Sequence, residues 1–330
     1  MPQIITTLGP AITSPEILKD LYTQGVRILR ANFTHETSES IVVKLAIIHE
    51  VEQEIGGKFS LMMDIEGPSI RTGKLDRPTP YKKGEKFKLM VVEKILENND
   101  LFCDFPGIID NVKVGDIVRI ESGLFDTIVR EIGSEYILLE ALNDFTMTSK
   151  RHINLPGLHI DMPTITDKDK QDIAYALEAK FDYIAISFCR SAADIQEVRN
   201  LTNNQIKLIA KIENQEGLDH LDEIIDASDM VMVARGDLGT ELPLEKLPEV
   251  QMDIVKKCKF KHTPVIIATQ MLSSMVTSPA PTRAEVSDIF LATLEGADYL
   301  MLSEETTIGL HPVEAVKMMN KVIAEVQNGR

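Results

Sequence analysis

Short apolar runs alternate along this chain with longer stretches whose apolar residues recur at helical spacing. The runs are Ile4–Leu8, Arg27–Phe33, Leu61–Ile65, Tyr183–Phe188, Lys207–Ile212, Met230–Ala234, Pro264–Ala268 and Tyr299–Leu302. Each is short and often β-branched, the pattern of a strand buried on both faces in a parallel sheet. Ser14–Gly25 reads as one of the intervening helices, with Ser14 as N-cap and Gly25 as the stop. Thr166–Ala179 reads as another, opened by a capping box of Thr166 and Asp169. Eight strand–helix units with no ninth predict an α/β fold, a closed (β/α)8 TIM barrel.

One interval breaks this rhythm. Lys86–Val92, Asp116–Glu121, Asp126–Ile132 and Tyr136–Leu142 alternate apolar with polar residues and are punctuated by Gly84, Gly115, Gly123 and Gly133. That is the signature of small antiparallel hairpins. The division expected is therefore 1–73 and 158–330 for the barrel, with a small all-β domain at 74–157 inserted after the third strand. The remainder is close to the ~250 residues typical of the barrel. An insertion on a βα loop emerges at the face where barrel active sites lie, so it is placed to act as a lid.

Composition narrows the class. The 330 residues are 44% hydrophobic and 26% charged, and acidic residues outnumber basic ones 51 to 35, a formal charge of -16. So acidic a chain repels a phosphate backbone, which argues against sequence-independent nucleic-acid binding. Cys103, Cys189 and Cys258 are far apart, so neither a disulfide framework nor a cysteine metal cluster is expected, and a reducing compartment fits. No leader pattern opens the chain, and no long uninterrupted apolar window predicts a membrane span. The expected location is the cytoplasm.

In such a barrel the chemistry comes from residues just after each strand. Read in order, these are Thr7–Pro10, Asn32–His35, Asp64–Gly67, Ser187–Arg190, Lys211–Asn214, Arg235–Asp237, Thr269–Met271 and Ser303–Thr306. Lys211 and Glu213 are two apart on one strand and so share a face. Asp237 follows the next strand, within reach of Glu213. Two carboxylates with room for water and substrate oxygens suit Mg²⁺, and a lysine beside that ion supplies positive charge to a transferring phosphoryl group. The turn Ala234-Arg235-Gly236-Asp237 also suits an anion nest of backbone N–H groups. On spacing alone, a Lys–Glu pair that satisfies itself at the barrel rim fits equally well. Arg30, Arg71 and Arg190 are phosphate candidates that fit ion pairs equally. His35 fits a nucleotide contact or a structural histidine, and Thr269 fits a reacting centre or a helix cap. The 14 methionines fit gap-filling core residues better than a cofactor box. No Gly-x-Gly-x-x-Gly or Walker-type loop is present in the sequence.

Taken together, the strand-end residues resemble a known family. Thr7-Leu8-Gly9-Pro10-Ala11, Arg30-Ala31-Asn32-Phe33-Thr34-His35, Gly67-Pro68-Ser69-Ile70-Arg71-Thr72-Gly73 and Asn154-Leu155-Pro156-Gly157 resemble successive signatures of the pyruvate kinases. So do Ala210–Asn214, Met232–Gly239, Ala268–Leu272 and Pro281–Glu285. The resemblance implies transfer of the phosphoryl group of phosphoenolpyruvate to ADP, giving pyruvate and ATP. It implies that Lys211 stabilises the phosphoryl group in flight, that Arg30 contacts it, and that Glu213 and Asp237 hold Mg²⁺ or Mn²⁺. The backbone of Ala234, Arg235, Gly236 and Asp237, with Thr269, would cradle the substrate carboxylate, Thr269 lying near the enolate face that is protonated. Thr7, His35, Arg71 and Lys168 match nucleotide contacts, while Asn32, Thr34 and Asp64 match a monovalent-cation site.

The chain also departs from that pattern. Where the family usually has Asp-Thr-Lys-Gly-Pro-Glu, this sequence has Asp64-Ile65-Glu66-Gly67-Pro68-Ser69. Ile65 removes a hydroxyl from the cation site, so weak or no activation by K⁺ is expected. Ser122 replaces one of an acidic pair, and Glu304 stands where glycine is common. The sequence ends at Arg330 without the family's C-terminal domain, which leads to the expectation of a monomer or a homodimer through the barrel, without allosteric effectors. Replacing Lys211 by methionine is expected to lower the rate by several orders of magnitude while changing substrate binding and folding little. Two other readings stay open on the residues: a catalytically impaired homologue that binds phosphoenolpyruvate or a partner, and a metal-dependent pyruvate aldolase or lyase of the same barrel superfamily.

Overall fold

A computed structural model of the chain describes every residue except 93–98, 122, 159, 161 and 330, and the side chain of Gln327. The strands run, in chain order, β1 (Gln3–Thr7), β2 (Ile28–Asn32) and β3 (Ser60–Asp64). Next come β4 (Ile70–Arg71), β5 (Thr79–Tyr81), β6 (Lys86–Met90), β7 (Leu101–Phe102), β8 (Ile117–Ile120), β9 (Phe125–Ile132), β10 (Tyr136–Ala141), β11 (Phe145–Met147) and β12 (His152–Asn154). The last group is β13 (Tyr183–Ile186), β14 (Lys207–Ile212), β15 (Met230–Ala234), β16 (Val265–Ala268) and β17 (Tyr299–Leu302). The helices are α1 (Pro15–Thr23), α2 (Ser38–Ile55), α3 (Ile108–Asn111), α4 (Asp167–Glu178), α5 (Ala192–Leu201) and α6 (Gln215–Asp219). They continue as α7 (Leu221–Ala227), α8 (Arg235–Glu241), α9 (Leu247–Lys261), α10 (Arg283–Glu295), α11 (Glu304–Thr307) and α12 (Pro312–Asn328).

The first three and last five strands close a parallel barrel in the order β1-β17-β16-β15-β14-β13-β3-β2, the predicted fold. Alternate residues of each strand enter different cores, which is why the apolar runs show no polar alternation. Ile5, Ile28, Met62, Ala185, Ile209, Met230, Met232, Ile266, Ala268 and Met301 fill the barrel interior. Their neighbours Ile4, Leu29, Met63, Ile184, Leu208, Val231, Ile267 and Leu300 pack outward against the helices. Four methionines in the interior use their flexible thioethers to fill a tapering space.

Helix ends follow the sequence signals. Ser14 caps α1 by accepting from Ile17 N at 3.3 Å. Thr166 and Asp169 form the reciprocal capping box of α4, with Thr166 N donating to Asp169 at 2.9 Å and Asp169 N to Thr166 at 3.1 Å. Strand ends shift by a residue or two from the expected bounds. β13 stops at Ile186 because Phe188 takes a left-handed φ of 52°, which no strand accommodates.

Between β3 and β13 the chain builds a seven-stranded sheet, β4-β12-β8-β9-β10-β6-β7, and a two-stranded one, β11-β5. The sheet takes in Ile70–Arg71, upstream of residue 74. Its pairs are antiparallel apart from β6 with β7. It has its own core, in which Tyr81 and Phe87 lie 4.5 Å apart at their ring centroids and Phe125 stacks on Phe145 at 5.2 Å. One helical turn, α3, interrupts a segment expected to hold strands alone. Pro106 presets the turn, Asn111 Nδ2 closes it on Gly107 O at 2.8 Å, and Ile108 is buried beneath it. All three cysteines are free and buried, and burial pushes the Cys103 and Cys258 thiols up to about 12. Among the described residues, no helix is long and apolar enough to cross a membrane.

Candidate active site at the open end of the barrel

Strand parity assembles the site. The inward positions Ile5, Ile28, Met62, Ala185 and Ile209 are followed two residues on by Thr7, Arg30, Asp64, Ser187 and Lys211, with Glu213 two further. These polar side chains therefore cap the methionine-rich interior at the C-terminal ends of the strands, where barrel sites form.

Asp64 is the hub of this cluster. Its Oδ2 accepts from Arg30 Nε at 2.6 Å and its Oδ1 from Lys211 Nζ at 3.0 Å. Lys211 Nζ also donates to Ser187 Oγ at 2.7 Å and lies 3.0 Å from Glu213 Oε1. Ser187 in turn donates to Ile65 O at 2.7 Å. Burial pushes the Asp64 carboxyl up, but the charges of Arg30 and Lys211 outweigh it and hold it below the ordinary range. Burial pushes Lys211 down, and Asp64 and Glu213 more than reverse that, so Lys211 stays charged. The expectation that Lys211 can be replaced with little effect on folding does not fit this burial. Removing one partner of such a network leaves charges uncompensated inside the protein.

Glu213 is held less completely. Its Oε2 accepts from Phe188 N at 2.7 Å, whereas its buried Oε1 has no hydrogen-bond donor in proper geometry, its approach to Lys211 notwithstanding. Burial pushes this carboxyl up to about 7, and the carboxylates of Asp237 and Asp64 add to the effect against the pull of Lys211. A buried carboxylate oxygen that has an ion-pair neighbour but no directed hydrogen bond, and feels Asp237 as a second negative charge, is a place for a hard cation with oxygen ligands. The donor set fits Mg²⁺ or Mn²⁺, although among the described residues no group of three metal-ligating side chains forms.

Ala234 ends β15, and α8 begins at Arg235. The Arg235 side chain turns away from the cluster. It donates to Ala268 O at 3.2 Å and to Asp288 at 2.8 Å, and also reaches Thr269 O. Those contacts brace Thr269 and Gln270, whose φ values of 69° and 54° are rare for side chains with a Cβ. Thr269 is not a helix cap. Its Oγ accepts from Gly236 N at 2.8 Å, which ties the ends of β15 and β16 together and leaves the hydroxyl proton unassigned to that bond.

The residues matched to the nucleotide separate into three places. Thr7 is buried beneath Arg30, accepting from its Nη1 at 3.2 Å and donating to Leu302 O at 2.8 Å. His35 is exposed at the end of β2. Arg71 and Lys168 converge on Glu66, at 3.4 and 3.6 Å. Of the cation-site residues, Asn32 accepts from Thr34 N at 3.3 Å, beside Asp64 in the neighbouring strand register, and Ile65 is buried in the helix-side core. Arg190 is committed elsewhere, donating to Ile160 O and Thr164 Oγ at 2.8 and 3.0 Å. Glu304 is exposed and Ser122 lies outside the described residues. The sequence placed Ser187 and Phe188 at a strand end without giving either a role, and Asp288 not at all. Only the inward parity of Ser187 after Ala185 was there to be read.

The profile of the pyruvate kinase barrel domain matches residues 1–316. A pyruvate kinase of Sporosarcina psychrophila is 38% identical over 97% of this chain and 56% of its own length. One of Borreliella burgdorferi is 39% identical over 99% of this chain and 69% of its own, and human pyruvate kinase PKLR is 38% identical over 98% and 59%. The chain thus spans little more than half the length of most of these relatives. A parallel barrel, a polar cluster capping it and this matched span together establish that the chain belongs to the pyruvate kinase family.

Proposed function

We propose that this protein transfers the phosphoryl group of phosphoenolpyruvate to ADP, giving pyruvate and ATP, as a cytoplasmic glycolytic enzyme. The observation that supports it most is the buried Arg30–Asp64–Lys211–Glu213 network, which holds two cations ready beside an under-coordinated carboxylate. In the reaction the bond from phosphorus to the enol oxygen breaks, a bond to a terminal oxygen of ADP forms, and the enolate carbon takes up a proton. Asp64 fixes Arg30 and Lys211 so that their donors face the oxygens of the moving phosphoryl group without reorganisation. The backbone of the Ala234–Asp237 turn and the Thr269 hydroxyl receive the substrate carboxylate. Gly236 N–H, bonded to Thr269 Oγ at 2.8 Å, orients that hydroxyl so that its proton is the donor. Glu213 and Asp237 would hold Mg²⁺ or Mn²⁺, which when bound offsets negative charge on phosphate and carboxylate oxygens.

Residues 74–157 form the lid in this reading, which the sheet and core they build together with Ile70–Arg71 support. In solution we expect a monomer or a homodimer through barrel helices, with the exposed Phe290 and Leu291 of α10 as candidates for the contact. Family membership leaves the lyase reading without a basis, while the impaired homologue is what an assay discriminates. K⁺ is expected to matter little. The Asp64 carboxylate is already balanced by two fixed cations, and Ile65 offers no oxygen.

A coupled assay with phosphoenolpyruvate, ADP and Mg²⁺, titrated with KCl in an alkali-free buffer, tests both statements. Pyruvate formation at a turnover of ~1–10³ s⁻¹ without K⁺ is expected. No turnover would favour the impaired homologue, and a large saturable activation by KCl would mean that the cation site is intact.

A further inference from the structure

Glu66 stands where the family pattern has a lysine, and its carboxylate lies between the two basic side chains matched to the nucleotide. Its Oε1 is 3.4 Å from Arg71 Nη2 and its Oε2 3.6 Å from Lys168 Nζ. The backbone imposes this placement. Gly67 N donates to Asp169 Oδ1 at 3.1 Å, which pins the turn to the first turn of α4, next to Lys168. Gly67 has a φ of 70°, and a Cβ there would come within 2.9 Å of the Ser187 side chain, so the turn packs closely on the end of β13 and needs glycine.

The surroundings are already rich in carboxylates. Lys168 donates to Asp172 at 2.8 Å and to Phe33 O at 2.9 Å, and Arg71 N donates to Asp104 at 2.8 Å. On the paired strand, His152 is pushed below its ordinary pKa by burial and by Arg71, so it adds little positive charge. A diphosphate arriving here meets two cations paired with the carboxylates of Glu66 and Asp172, with a third, Asp104, held on the Arg71 backbone. The contacts of Glu66 with Arg71, Lys168 and the Ser69 hydroxyl, which donates to its Oε1 at 3.5 Å, are all longer than the ~2.7–2.9 Å of a tight charge-assisted hydrogen bond, so Glu66 is loosely held.

We propose that Glu66 is an internal stand-in for the phosphates of the nucleotide. Its carboxylate keeps Arg71 and Lys168 poised in the free protein and yields to the incoming nucleoside diphosphate. It thereby sets a low affinity for that substrate without taking part in the transfer. This rests on the reading of Arg71 and Lys168 as nucleotide contacts.

Glu66→Gln keeps the shape of the side chain and removes its charge. Titration calorimetry with Mg²⁺ and ADP should show binding tightened roughly 3- to 30-fold, the range expected from releasing two loose ion pairs. KM for ADP should fall in parallel while kcat and KM for phosphoenolpyruvate stay within about twofold. Inorganic pyrophosphate should gain affinity likewise and adenosine should not, because the competition is for the phosphate position. Glu66→Ser serves as a second variant with the same expectation, and Glu50→Gln, exposed on α2, should change nothing. Unchanged or weaker ADP binding in both Glu66 variants, or an equal gain for adenosine, overturns the inference while leaving phosphoryl transfer by the wild-type protein untouched. If ADP binds to neither wild type nor variants, the nucleotide reading of Arg71 and Lys168 fails and this inference fails with it.

Discussion

Lys211→Met is expected to lower the rate of phosphoryl transfer by at least ~10²–10³-fold, the usual loss when one preorganised electrostatic contact is removed. It is also expected to destabilise the fold. Lys211 is buried, bonds Asp64 and Ser187 at 3.0 and 2.7 Å, and lies 3.0 Å from Glu213. Methionine fills much of the space and satisfies none of these oxygens. Breaking a buried ion pair costs about 3–5 kcal/mol. Glu213 softens the loss, since a carboxyl already pushed up to about 7 becomes neutral readily once the lysine is gone. Steady-state kinetics and urea unfolding on the same preparation separate the two effects. A variant that keeps activity within tenfold of wild type contradicts the role given to Lys211.

Asp64→Asn carries the second large effect. The amide leaves Arg30 and Lys211, both nearly inaccessible, without the carboxylate that joins them. A loss of about 3–5 kcal/mol at neutral pH is expected, together with a large fall in kcat because both cations lose their alignment. The pH dependence has a definite sign. The carboxyl is held below its ordinary pKa in the folded protein, so its stabilisation is complete above about 3.9 and lost as pH falls through the depressed folded value. The stability gap between wild type and variant should therefore be full at pH 7 and narrow at pH 3. A gap below about 1 kcal/mol at pH 7, the size of an exposed pair, would mean that Asp64 is not the hub described.

The barrel was legible because strands buried on both faces are apolar throughout, and eight such runs with helical intervals leave few alternatives. Lys211 and Glu213 could be placed on one face because a spacing of two is all that a strand requires. Asp64 was noticed for a cation site, yet its pairing with Arg30 and Lys211 spans 34 and 147 residues, a separation that local pattern does not register. Arg235 was read in part. Its backbone was read as part of an anion nest, whereas its side chain, which drew no reading, is turned from the cluster to hold the strained Thr269–Gln270 backbone. The two- and three-residue strands β4, β5, β7, β11 and β12 are too short to show any period, so the edges of the second sheet emerged only in three dimensions. Glu66 was seen as a departure, whereas its position between two cations depends on a glycine that packs against Ser187.

In the proposed function, phosphorus moves from phosphoenolpyruvate to ADP at the Arg30–Asp64–Lys211–Glu213 cluster. Phosphorus NMR of the purified wild-type protein with both substrates and Mg²⁺ follows that movement directly. The phosphoenolpyruvate signal is expected to decay as the γ-phosphate of ATP grows in equal amount, without release of inorganic phosphate. EDTA is expected to stop the exchange and Lys211→Met to slow it by at least ~10²–10³-fold. Loss of the phosphoenolpyruvate signal to inorganic phosphate, or transfer that proceeds unchanged in EDTA or in the variant, would contradict that function.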